Sequence, residues 1–137
     1  EIAQCLVGSE MCIRDRYNRI DKIDPSVKEY KLNCIDTVHC ELLESGIKIT
    51  LKRELKFDPN QLFNISISFC AVLNFNPEKK EEIDWHSLNL TNEFQNNGQF
   101  VLQNLMSRIS LLIAQITSSY GQTPVILPPV VVPKNIQ

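Results

Sequence analysis

IKITLKRELKFDPNQLFNISISFCAVLNF, residues 47–75, alternates apolar and polar side chains along two runs with a turn between them. In the first run Ile47, Ile49, Leu51, Leu55 and Phe57 form one set, and Lys48, Thr50, Lys52, Glu54 and Lys56 the other; Arg53 alone breaks the pattern. A period of two turns one face to a core and the other to water. Asp58-Pro-Asn-Gln61 carries turn residues. In the second run Phe63, Ile65, Ile67, Phe69, Ala71, Leu73 and Phe75 alternate with Asn64, Ser66, Ser68, Cys70, Val72 and Asn74. Two such runs joined by a short loop predict an antiparallel hairpin. The polar set of the second run is nearly uncharged, which points to partial cover on that face too.

Upstream, Tyr30, Leu32, Cys34, Val38, Cys40 and Leu42 predict a further strand. Ile35 and Asp36 spoil its alternation, and a β-bulge there is the expected reason. Glu44-Ser-Gly46 is a turn signal. Tyr17–Asp24 is polar and loosely patterned, and Pro25 breaks it. The start of the chain is different in kind. Cys5–Arg16 reads CLVGSEMCIRDR, with neither helical nor strand periodicity. It resembles a run produced when sequencing-adapter DNA is translated along with a gene. Residues 1–16 are therefore set aside as non-native, and 17–137 are taken as one domain. A secretory signal fits poorly, because the apolar stretch Cys5–Gly8 is short and acidic residues flank it.

Downstream, Asn76–Asp84 is a charged surface loop, and a short helix is expected near Leu90–Asn96. Leu102, Leu105, Met106, Ile109, Leu112, Ile113 and Ile116 follow helical spacing, predicting a long helix over Gly98–Tyr120. Asn96 with Gln99 is its expected N-terminal cap and Gly121 its C-terminal one. Between Glu93 and Lys134 the sole charge is Arg108. A helix exposed on one face normally carries several charges. Gln103, Ser107, Ser110 and Ala114 are therefore expected to face another subunit, since interface cores are depleted in charge. The tail, Pro124-Val-Ile-Leu-Pro-Pro-Val-Val-Val-Pro133, excludes a helix and favours extended geometry. Its six aliphatic residues must dock on the domain, a sister subunit or a client.

Composition narrows the function. The chain has 137 residues with 43% hydrophobic and 22% charged, ordinary globular values for one domain. A net charge of −2 argues against nucleic-acid binding. No window of about 20 apolar residues is evident, so no membrane insertion is expected. With residues 1–16 excluded, Cys34, Cys40 and Cys70 remain, an odd number without a C-x-x-C pair; buried free thiols in a reducing cytosol are expected. His39 and His86 stand in no metal-ligand or catalytic spacing, and no phosphate-cradling glycine loop is present. No enzyme activity, metal or cofactor is expected.

The helix and tail together carry a resemblance. NLMSRISLLIAQITSSYG (Asn104–Gly121) followed by QTPVILPP (Gln122–Pro129) resembles the C-terminal part of SecB-like protein-export chaperones, in particular divergent members. The resemblance implies an α+β fold, an antiparallel sheet packed on one long C-terminal helix. It further implies a cytoplasmic homotetramer, a dimer of dimers, that binds unfolded preprotein in a groove and passes it to the SecA motor. On that reading Val125, Ile126, Leu127, Val130, Val131, Val132, Phe69 and Phe75 would line the client groove; ordinary core packing is the competing reading for each, and the stronger one for Phe69. A dedicated chaperone for one client, such as an antitoxin, is the alternative. Two departures from the family stand out. Three strands are legible where four are typical. The sequence as it stands, ending at Gln137, shows no second helix after the tail, so a more open groove is expected.

Overall fold

The computed structural model describes residues 6–19, 25–26, 28–60, 62–119 and 124–131, with backbone alone for 6–12 and 19. Four strands come first: β1 (Leu6–Arg19), β2 (Lys31–Leu42), β3 (Gly46–Asp58) and β4 (Phe63–Phe75). A short 3-10 turn (Lys80–Glu82) and two helices follow, α1 (Leu90–Asn97) and α2 (Gln99–Ser118). The strands form one antiparallel sheet in the order β1-β4-β3-β2.

The expected hairpin is β3–β4, in a register that places Leu51 opposite Phe69 and Ile49 opposite Ala71. Its odd-numbered face is the core. Ile47, Ile49, Leu51, Leu55 and Ile67 are fully buried there, and α2 covers them with Leu105, Met106, Ile109 and Ile113. Each such side chain contributes about 1.5–3 kcal/mol by leaving water. At one end of the sheet Tyr17, Phe63, Phe57 and Tyr30 form a chain of ring contacts across it, with centroids 5.6, 4.9 and 6.3 Å apart.

Three expectations need correction. The β2–β3 register runs from Lys31–Asp58 to Leu42–Ile47 without a shift, so β2 has no bulge. Asp36 instead lies on the core face, directly opposite Arg53. Residues 6–16, given no place in the fold by their pattern, form most of β1 and pair along β4. Antiparallel pairing uses main-chain groups, so it does not need the alternation that the segment lacks. Cys70 is disulfide-bonded rather than free, while Cys34 and Cys40 are free. Leaving residues 1–16, which hold Cys5 and Cys12, out of the cysteine count removed two candidate partners from the reading.

The helices differ from expectation in detail. The N-cap of α2 is Gly98, which has no side chain to cap it, because α1 ends one residue earlier and already contains Asn96. α1 has the side-chain cap: Asn89 accepts from the Asn92 N–H at 3.3 Å. The expected cap at Gly121 lies outside the described residues. By length and composition alone α2 is apolar enough to cross a membrane, contrary to the sequence reading. In the fold its apolar stripe lies on the sheet.

The β2–β3 turn is a close fit. The Leu43 N–H donates to the Gly46 carbonyl at 2.8 Å, and the Phe75 N–H donates to the Ser45 carbonyl at 2.9 Å. A Cβ on Gly46 would stand 2.0 Å from the Leu73 carbonyl oxygen, which is main chain and cannot swing away. Gly46→Ala is therefore expected to cost about 2–4 kcal/mol, read from urea denaturation. A loss below about 0.5 kcal/mol, the usual range for an innocuous surface change, would show that the turn gives way freely.

Candidate functional site

Arg53 and Asp36, the two residues that break the strand patterns, are a buried ion pair. Arg53 Nε donates to Asp36 Oδ1 at 2.7 Å and Nη2 donates to Oδ2 at 2.8 Å, a two-pronged pairing with both side chains 0% exposed. Nη1 donates to the Ser110 hydroxyl of α2 at 3.3 Å and to the Pro128 carbonyl at 3.0 Å. Nη2 also donates to the Val130 carbonyl at 2.9 Å. A guanidinium has five N–H groups, and these bonds use them all. Burial works against the charge, but the hydrogen bonds and charge of Asp36 outweigh it and raise the Arg53 pKa. The Cys34 thiol points at Asp36 Oδ1 from 3.7 Å. Burial chiefly pushes that thiol up; the Arg53 cation opposes the shift and Asp36 adds to it.

The pair anchors the tail. Residues 124–131 run without helix or strand over the end of α2 and the Arg53 guanidinium. The Val125 N–H donates to Thr117 Oγ1 at 2.8 Å, and Thr117 in turn donates to the Ile113 carbonyl at 2.8 Å. The tail then shows two faces. Val125, Leu127 and Val131 are half-buried against the core, whereas Ile126 is 78% and Val130 49% exposed.

The other expected groove residues scatter. Phe69 and Phe75 are buried core side chains in this chain, and Val132 lies outside the described residues. Phe75 does form the floor of a cleft of 610 Å³ between the β2–β3 turn and the loop after β4, shared with Leu42, Leu43, Ile83 and Trp85. There the Trp85 ring lies 4.9 Å from Phe75, its Nε1 donates to the Lys80 carbonyl at 3.0 Å, and Lys80 Nζ sits 5.3 Å above the Phe75 ring.

Of the residues expected to face another subunit, Gln103 and Ser107 are exposed, Ala114 is half-buried, and Ser110 turns inward to Arg53. Phe100 and Leu111 are 62% and 61% exposed on α2 and were missed by a reading that looked for polar residues. Both histidines are exposed, His39 on β2 and His86 after the 3-10 turn. Among the described residues no three His, Cys, Asp or Glu side chains gather as a metal site. The Arg53–Asp36 pair was also missed, although a signal existed: two opposite charges each interrupt an apolar face on adjacent strands.

No protein-family profile matches the chain, and no curated protein does. Among solved structures the fold is similar to that of the Mycobacterium tuberculosis SecB-like chaperone Rv1957, solved in complex with a ChAD peptide from the antitoxin HigA1, Rv1956. The TM-score is 0.65 at 14% identity, and the match covers 93% of this chain and 92% of that one. The likeness is one of fold, and it includes the four-stranded antiparallel sheet with its helices.

Removing one partner of a buried ion pair strands the other. Asp36→Ala is expected to destabilise the protein by about 3–5 kcal/mol, whereas the apolar double variant Asp36→Leu with Arg53→Met should recover most of that. Urea denaturation of the three proteins decides the matter. A single variant within about 1 kcal/mol of the parent, the worth of an exposed pair, would mean that the pair is solvated.

Proposed function

We propose that this chain is a SecB-like molecular chaperone that holds non-native polypeptide in extended form and catalyses no reaction. One observation carries this reading: the fold already binds one apolar segment without helix or strand, its own tail, through main-chain carbonyls, and leaves Ile126 and Val130 facing outward. Main-chain contacts are indifferent to client sequence, and apolar side chains add affinity, which together is what a general binder of unfolded chains needs. The solved neighbour of the same fold is named as a chaperone bound to a peptide, which supports a polypeptide client here.

Clients are proposed to be preproteins in the cytoplasm, delivered to the SecA motor. The dedicated alternative, one antitoxin-like client, draws support from the antitoxin peptide on the neighbour. Residues 1–16 remain, on this proposal, a translated-adapter run, of which 6–16 occupy an edge of β4 that accepts main chain of any sequence. The functional unit is proposed to be a homotetramer in which the outer face of α2 packs on another copy. Its exposed Phe100 and Leu111, separated by Gln103 and Ser107 and with Arg108 as the helix's sole charge, form a surface suited to burial.

Two experiments test these statements. The protein is expected to suppress aggregation of a chemically unfolded client without ATP, and Ile126→Asp to weaken client binding by about tenfold or more with the circular dichroism spectrum unchanged. Failure of the parent to bind any unfolded protein would end the chaperone reading. Leu111→Glu is expected to split the assembly in light scattering, because it sets an unpaired charge in an apolar contact. A parent that scatters as a monomer would end the assembly proposal.

A further inference from the structure

Arg53 holds the tail at a bend. The segment 124–131 has neither helix nor strand, and it bends at Pro129 and Val130. The Pro128 and Val130 carbonyls accept from Nη1 and Nη2 of the one guanidinium, at 3.0 and 2.9 Å. Two carbonyls tied to one planar group fix the bend between them. The group itself cannot turn, because Asp36 takes Nε and the other N–H of Nη2, and the Ser110 hydroxyl takes the other N–H of Nη1.

A second anchor lies at the far end of the segment, where the Val125 N–H donates to Thr117 Oγ1 at 2.8 Å. Between the anchors Pro128 and Pro129 have ring-fixed φ angles. Ile126 follows the first anchor directly, and Val130 belongs to the second. These are the two tail side chains turned outward, 78% and 49% exposed. The outward apolar surface therefore stands on a backbone held at both ends.

An ion pair is a poor choice here for stability alone. Well-packed apolar residues in place of a buried pair are often neutral or stabilising. Apolar residues would supply no direction, however, since they offer no N–H to either carbonyl. A surface fixed in advance binds more tightly than a mobile one, because less freedom is lost on association.

We propose that Arg53, steadied by Asp36, is a positioning residue for client binding. It touches no client; by clamping the bend it presents Ile126 and Val130 as a preorganised apolar contact. The inference rests on the chaperone reading, in which the outward side chains of the tail meet the client. It gives the buried pair a part in affinity separate from its part in stability.

The test uses the full chain and a reduced, carboxymethylated polypeptide that cannot fold, titrated by fluorescence. The double variant Asp36→Leu with Arg53→Met is expected to stay folded without the clamp. Its client binding should be about tenfold weaker. Hydrogen exchange across residues 124–131 should be about tenfold faster, with that of α2 unchanged. Ile126→Asp, which weakens the parent about tenfold, is expected to add less than about twofold on the clampless background, because residues that act as a unit are not additive. A purely structural role predicts otherwise: a folded double variant that binds like the parent, or the same tenfold loss from Ile126→Asp on both backgrounds. Either result overturns the proposal and leaves the chaperone reading standing. If the double variant does not fold, Arg53→Lys, which keeps the charge beside Asp36 but not the planar fork, is judged by the same criteria. A parent that binds no unfolded chain defeats the chaperone reading and this inference together.

Discussion

The fold turns on a guanidinium with no access to water. Arg53 sits in the middle of β3 on the core face, among residues that are otherwise apolar. Burying a cation there is costly, and only a closely matched set of partners makes it tolerable. Those partners come from every layer: Asp36 from β2, Ser110 from α2, and two carbonyls from the tail. The requirement to satisfy one side chain thus sets the position of α2 over the sheet and the path of the tail over both. Apolar packing alone, which is not directional, would allow several such arrangements.

The same constraint governs what the surface offers. A chaperone for unfolded chains needs apolar area open to a client and closed to its own aggregation. Anchoring by carbonyls leaves the side chains of the tail free to divide, with Val125, Leu127 and Val131 toward the core and Ile126 and Val130 outward. The exposed pair is small, and the prolines on either side of it discourage strand-to-strand growth. On α2 the exposed Phe100 and Leu111 alternate with small or polar residues, a surface for a partner with a definite shape.

The two edges of the sheet differ. β1 covers β4 along almost its whole length with a segment that has no strand pattern, whereas the outer edge of β2 pairs with no strand among the described residues. Main-chain pairing supplies the first contact, and side-chain fit matters less at an edge than within the sheet. That tolerance of sequence is also what the proposed activity requires.

The sequence by itself determined the β3–β4 hairpin, the existence of β2, the long helix and the short one before it. Each of these is a periodic pattern, and a period is a local property that neighbouring residues report without outside help. The near absence of charge on α2 was legible for the same reason. The tertiary structure alone decided the rest. β1 shows no period because its pairing uses main chain. Asp36 and Arg53 looked like two separate defects, one attributed to a bulge, until the register set them opposite each other. Ser110 read as an interface residue, yet it turns inward because a guanidinium from a strand 57 residues earlier needs its hydroxyl. Which tail side chains face outward was likewise beyond the pattern, because the carbonyls of Pro128 and Val130, bound from below, set the rotation of that segment. Hydrogen-bond partners distant in sequence are chosen by the packing of the whole chain, and no local pattern encodes them.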